Sequence, residues 1–205
     1  MSLMTATPYK INNMELKNRI IMLVMHTAFA KGGKLSEEDY AFFEARAKGS
    51  PAAITQVVGV NDEGTADSMP NVTDESFFDA EKRITDMIHS YGTKHIVQLF
   101  HRGRNAASDK GFKPIAPSNV PSGIYRNECE VMTAEKIEET VKAFADAALK
   151  LKEIGVDAVE VSMSAGYLLS LFFSPITNLR DDEYGGDEER RMKAPLDVLR
   201  AIRKA

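Results

Sequence analysis

The sequence predicts an α/β fold of parallel strands, and three observations carry that reading. Four short apolar runs recur along the chain, each followed by a helix-like segment. The runs are nearly continuous rather than alternating, as strands buried on both faces of a parallel sheet require. The segments between them place apolar residues at helical spacing. At 205 residues and 43% hydrophobic content, the chain is large enough for one core. No low-complexity stretch or Pro/Ser linker marks a boundary, so residues 1–205 read as a single domain.

The elements follow in order. A short hairpin is expected over 9–16, where Asn12 and Asn13 give the turn. The first strand is IIMLVM at 20–25, followed by a turn with Gly32 and Gly33. Ser36 is placed to cap a helix that runs through Lys48 and stops at Gly49. The second strand is AAITQVVGV at 52–60, followed by a loop with Gly64 and Pro70. A helix over 74–90 then carries the stripe Phe77, Ala80, Ile84, Met87, Ile88 and Tyr91. The third strand is HIVQLF at 95–100; a long irregular loop with Pro114, Pro117 and Pro121 comes after it. Thr133 caps the next helix, whose stripe is Ile137, Val141, Phe144, Ala148 and Leu151, and Gly155 ends it. The fourth strand is 158–161. A last helix leads to Ala205 with Leu196, Leu199 and Ile202 on one face, started or kinked by Pro195.

Four βα units use the whole chain, whereas an eight-fold β/α barrel needs about 250 residues. An open doubly wound sheet, a half barrel and part of a full barrel all remain. A dinucleotide-binding sheet carries G-x-G-x-x-G after its first strand. Here His-Thr-Ala-Phe-Ala-Lys-Gly-Gly follows Met25, which disfavours the open sheet.

Composition narrows the function. The net charge of −4, with both signs interspersed, argues against nucleic acid or an anionic membrane as partner. No apolar run approaches the ~18 residues of a membrane span, and the first ten residues lack a signal-peptide pattern. The doubled start, Met1 then Met4, resembles an expression-vector prefix. One cysteine, Cys129, suits a reducing cytoplasm. Its polar neighbours Arg126, Asn127 and Glu128 suggest an exposed thiol. No His or Cys pair has metal-ligand spacing.

In a β/α barrel, chemistry sits at the C-terminal strand ends. Those positions here are Met25, His26 and Thr27 after the first run, Gln98, His101, Gly103 and Arg104 at the third, and Ser162, Ser164 and Tyr167 after the fourth. The sequences around them are specific. LKNRI at 16–20 with Met25-His26-Thr27, RAKG at 46–49, VQLFHRGR at 97–104, PIAPS at 114–118, GYLLS at 166–170, SPITNLRDDEYGG at 174–186 and ERRM at 189–192 follow one another in order. This series resembles the Old Yellow Enzyme family of FMN-dependent ene-reductases, especially its dienoyl-CoA-reductase-like branch.

The resemblance implies the N-terminal (βα)4 half of a TIM-type β/α barrel. It implies FMN as cofactor, NADH or NADPH as reductant, and reduction of an activated C=C bond in a small-molecule alkene. It would set Met25, His26, Thr27 and Val58 beside the flavin, and Gln98 on the pyrimidine edge, where an amide offers both donor and acceptor. Tyr167 would be the proton donor, since a phenol stays protonated at neutral pH. The family's substrate-gripping pair, His and then His or Asn, is replaced by Ser162 and Ala165. Val24 stands where proline is usual and Val57 where an acid is usual. The flavin-contacting Arg and the phosphate-binding loops belong to the second half of such a barrel, beyond Ala205.

Plainer readings stand beside these. Gln98 could satisfy buried backbone groups, and Tyr167 could be packing. His26 reads equally as a satisfied core histidine. His101 and Arg104 read as structural, His89 and His95 as surface and strand-edge residues, and DDEYGGDEERR as a solvated loop leading into a helix. A half barrel leaves its first and fourth strands open, and open edges invite association. A homodimer or larger assembly, or a partner supplying the second half, is therefore expected. The loss of the His pair leaves two further possibilities open: a degenerate flavin- or ligand-binding protein, and a non-catalytic interaction protein.

Overall fold

The computed structural model describes residues 3–106, 111–126 and 128–205. Met1 of the doubled start and Asn127 beside Cys129 lie outside the described residues. In chain order the strands are β1 (Tyr9–Ile11), β2 (Met14–Leu16), β3 (Ile21–Met25), β4 (Ala53–Gly59), β5 (Lys94–Phe100), β6 (Ile115–Ala116), β7 (Glu130–Val131) and β8 (Ala158–Val161). The α-helices are α1 (Glu37–Ala47), α2 (Phe77–Ser90), α3 (Ala134–Glu153), α4 (Leu168–Phe173) and α5 (Glu188–Lys204).

The expected hairpin forms from β1 and β2, paired antiparallel. Asn12 at its turn has φ 50°, a region Asn tolerates better than most residues. The four apolar runs make one sheet in the order β3-β4-β5-β8, so strands consecutive in the βα series are neighbours. β3 and β4 pair in parallel, Ile21 with Ala53 and Met22 with Ile54. Every residue of β4 is buried, and every residue of β5 but Lys94, as the continuous apolar runs require. Among the described residues the sheet does not close: β3 and β8 are its two ends.

Packing divides the chain into two compact units. The first takes Met1–Val58, Ser68–Gln98 and Lys150–Glu160. Its main core joins Phe43 and Ala47 of α1, Ile54 of β4, and Ile84, Met87 and Ile88 of α2. Fully burying such side chains contributes about 1.5–3 kcal/mol each, far more than the caps that set the helix ends. A smaller cluster of Leu16, Ala52, Ala53 and Ile96 seats the hairpin. The second unit takes Gly59–Asp67, Leu99–Leu149 and Val161–Ala205. Its core gathers Ile115, Met132, Ile137, Leu168, Phe172, Tyr184 and Ala194.

Caps place the helices. Ser36 and Asp39 form a reciprocal capping box at the start of α1. The Thr133 hydroxyl accepts from the Lys136 N–H at the start of α3, and Gly155 follows its end with φ 95°.

Several expectations are corrected. α5 starts within the DEERR segment, where the sequence placed a helix start, and not at Pro195: the Asp187 carboxylate accepts from the Arg190 N–H and sets the first turn, and Pro195 lies inside the helix. Within the long proline-bearing loop, β6 and β7 pair in parallel over two residues each. That pairing buries Cys129 (7% exposed) with Ala116 and Leu171, so the thiol is not at the surface. His95 is fully buried, not a strand-edge residue. The DDEYGGDEERR segment is mostly exposed and leads into α5, as expected, but Tyr184 within it is buried (2% exposed) and anchors the loop. Among the described residues, no helix is long and apolar enough to cross a membrane.

Candidate functional site

The predicted site residues fall into two groups, one in each unit. In the first unit, β3 presents Leu23 (76% exposed) and Met25 (53% exposed) on one face, as alternate strand positions must. His26 is exposed, and its Nε2–H donates to the Ser68 carbonyl at 3.0 Å. A carbonyl oxygen can only accept, so this contact fixes the proton on Nε2. Its exposure overturns the core-histidine reading of His26.

Thr27 donates its hydroxyl hydrogen to Asp39 Oδ1 at 2.6 Å. The same carboxylate accepts from the Ser36 N–H at 3.0 Å and the Ser36 hydroxyl at 2.9 Å. The helix cap of α1 thus also holds the residue that follows β3 by two positions. Val58 is fully buried within β4. Gln98 on β5 is 8% exposed, and its Nε2 donates to the Glu160 carboxylate of β8. A side-chain carboxylate, not a backbone group, is what the Gln98 amide engages.

In the second unit, Ser162 is 8% exposed and its N–H donates to the Leu99 carbonyl at 3.0 Å. Ala165 is exposed and holds φ 56°, a left-handed conformation that costs a residue with a Cβ about 1 kcal/mol or more. Tyr167 is half-buried and precedes α4. Its ring stands edge-on to Phe100, centroids 4.5 Å apart. The Asn105 amide donates to the Gly166 carbonyl at 3.2 Å and steadies the turn before Tyr167.

His101 is buried and bonded within the turn after β5. Its Nδ1 accepts from the Gly103 N–H at 3.0 Å, and its carbonyl accepts from the Leu168 N–H at 3.1 Å. Burial drives its imidazole down to about 3, so it stays neutral near pH 7. Gly64 lies under the ring: a Cβ there would meet His101 Cδ2 at 2.4 Å. Arg104 donates to the Val120 and Pro121 carbonyls, 3.3 and 3.2 Å away, and holds the loop.

Three partners were not singled out in the sequence: Asp39, Glu160 and Phe100. Asp39 had a signal, since Ser-x-x-Asp is a capping-box spacing. Glu160 had a weaker one, a charge inside the apolar run AVEV. Phe100 had none, because an aromatic in a buried strand reads as core. Among the described residues, no group of three or more His, Cys, Asp or Glu side chains is placed to hold a metal ion.

The donor set of the first unit suits a flavin ring. The Gln98 side chain carries both donor and acceptor, as a pyrimidine edge requires, with one N–H engaged by Glu160. The exposed Met25 offers an apolar, polarisable surface for a ring face. Thr27 is already committed to Asp39, so it contributes shape rather than a free hydroxyl hydrogen.

Residues 6–205 match the model of the NADH:flavin oxidoreductase / NADH oxidase family. A metal reductase of Desulforamulus reducens is 38% identical over 201 residues, which is 97% of this chain and 30% of the relative. An NADPH dehydrogenase of Bacillus pumilus is 32% identical over 200 residues, 96% of this chain and 59% of the relative. The crystal structure of Old Yellow Enzyme from a Pichia species superimposes with a TM-score of 0.91 at 26% identity. That match covers 98% of this chain and 56% of the other. The chain therefore spans between about a third and three fifths of the relatives it matches, and its open sheet corresponds to part of their β/α barrel.

Proposed function

The chain belongs to the NADH:flavin oxidoreductase / NADH oxidase family, and on that premise we propose that it forms the N-terminal half of an FMN-dependent ene-reductase barrel. The reaction is reduction of an activated C=C bond at the expense of NADH or NADPH. FMN, when bound, supplies the hydride. Gln98 holds the pyrimidine edge, Met25, His26 and Thr27 line the ring, and Val58 packs behind it. Tyr167 protonates the second carbon of the alkene. Its ring is fixed by Phe100, which restricts where the phenol can point.

The observation that carries this reading is the Gln98 amide. It is buried on β5 yet turned to a side-chain carboxylate. An amide that merely satisfied backbone groups would not need that partner. The test is an FMN titration of the purified chain, alone and with the C-terminal half of a relative's barrel, read by visible absorbance and melting temperature. FMN binding must stabilise the fold by about 2.7 kcal/mol at a hundredfold excess over Kd, and so raise its melting temperature. No spectral or thermal response in either mixture would remove the reading.

One observation favours a second reading, a flavin- or ligand-binding protein impaired in alkene reduction. Ser162 is nearly buried, and Ala165 has no polar side-chain atom. A lost donor to a developing oxyanion costs about 2.7–4 kcal/mol of transition-state stabilisation. Placing His at both positions separates the readings. If that variant binds FMN with its barrel completed and still reduces no enone, the substrate pair is not what limits activity.

Assembly is part of the proposal. The end strands β3 and β8 leave unpaired edges, and Leu23 and Met25 of β3 are exposed. A homodimer, or a partner carrying the second half barrel, would cover them. A monodisperse monomer in sedimentation would count against the homodimer. A cytoplasmic setting, resting on the single cysteine, completes the reading.

A further inference from the structure

Beneath β4 and β5, in the first unit, lies a buried polar cluster that the proposed chemistry does not use. Glu81 and Thr85 come from α2, Gln56 from β4 and His95 from β5. All four are essentially fully buried. Gln56 Nε2 donates to Glu81 Oε2 at 3.0 Å. The Thr85 hydroxyl donates to the Glu81 backbone carbonyl at 2.9 Å. That uses its only hydrogen. Its contact with His95 Nδ1, at 3.0 Å, must then take a hydrogen from the imidazole. His95 is thereby the Nδ1–H tautomer, and its Nε2 is a lone pair.

That lone pair faces Glu81 Oε1 at 3.6 Å. Neither atom has a hydrogen-bond partner, and Gln56 Oε1 is a third buried atom without one. With Glu81 ionised and His95 neutral, all three are acceptors. Buried acceptors with no hydrogen between them are costly. One proton on Glu81 Oε1 resolves the main conflict. It makes the acid a donor to His95 Nε2 and would draw the pair to about 2.7 Å.

We propose that Glu81 and His95 hold a single proton between them, forming a lock that ties α2 to the sheet and weakens as the solution turns alkaline. The surroundings favour it. Desolvation pushes the Glu81 carboxyl up to about 8, and the Asp39 carboxylate of α1 adds to that rise. Desolvation takes His95 down to about 3; His89 of α2 lowers it further, while Asp157, which precedes β8, opposes the drop.

The sign of the pH dependence follows. From about pH 4.5 to 6.5 the folded pair holds one proton on Glu81, and the unfolded chain holds one on His95, so stability is flat. From about 6.5 to 8 only the folded pair keeps its proton, so stability falls with pH. Between about 3 and 4.5 the unfolded chain binds more protons, so stability rises with pH.

The test measures urea unfolding of the purified chain between pH 6 and 9, for the wild type and for Glu81→Gln. Glutamine mimics the protonated acid: its amide can donate to His95 and its carbonyl can accept from Gln56. Wild type should lose about one and a half decades of its folding equilibrium constant between pH 6.5 and 8. E81Q should fold and should lack that loss. Nitrogen NMR of the wild-type imidazole should report the Nδ1–H tautomer of His95. An equal alkaline loss in both proteins, or an Nε2–H tautomer, overturns the proposal. If E81Q fails to fold, the tautomer and the wild-type pH profile decide alone.

Discussion

Tyr167 meets Phe100 edge to face, with ring centroids 4.5 Å apart and planes inclined at 70°. Such pairs contribute about 0.5–1.5 kcal/mol beyond burial. Tyr167→Phe keeps the ring and removes only the acid. Its melting temperature should match wild type. In a flavin-loaded complete barrel, reduction by NAD(P)H should be unchanged while alkene turnover falls by roughly a hundredfold or more, the usual worth of a general acid. Stopped-flow separation of the two half-reactions checks this. A matched loss in both would mean Tyr167 is only packing.

Ala165 stands at φ 56°, where a Cβ is strained. Ala165→Gly should therefore stabilise the chain by about 1 kcal/mol. Urea denaturation reads this directly. A destabilised A165G would mean the turn gains more from Ala165's restricted unfolded state than it loses in strain.

Asp39 accepts from Thr27, from the Ser36 N–H and from the Ser36 hydroxyl. Asp39→Ala strands those donors at a buried position and should cost about 1–3 kcal/mol. Ser36→Ala removes the cap oxygen but leaves Thr27 bound, so about 1 kcal/mol is expected. Equal losses would show that Thr27 gains nothing from the carboxylate.

A methyl on Gly64 would meet the His101 ring at 2.4 Å. Gly64 has an ordinary backbone conformation, so the clash alone is at issue. Gly64→Ala should destabilise by about 1–3 kcal/mol, as overpacking does. Thermal melting of G64A beside Gly123→Ala, where nothing lies within 4 Å, isolates the clash from general glycine effects.

Cys129 is 7% exposed, and burial pushes its thiol up from the ordinary cysteine value. A thiol reagent at neutral pH should modify it slowly in the folded chain and rapidly in denaturant. Reaction at the same rate in both would place the thiol at the surface.

The sequence by itself determined the sheet, the main helices and the family. Apolar runs such as AITQVVG could only be strands buried on both faces, and Ser36, Thr133 and Gly155 marked helix ends by local bonding that needs no distant partner. What periodicity cannot express is which residues, far apart in the chain, come to touch. The two-residue pairing of β6 with β7 buries Cys129 behind a polar sequence. Tyr184 enters a core from inside an acidic loop because Arg180 clamps Asp182 and the loop turns inward. His95 reads as a strand-edge polar residue until α2 brings Thr85 and Glu81 over it. Gln98 stood out as an amide inside an apolar run, but its hold on Glu160 was not legible there. Burial and hydrogen-bond pairing depend on tertiary contact, so only the folded chain decided them.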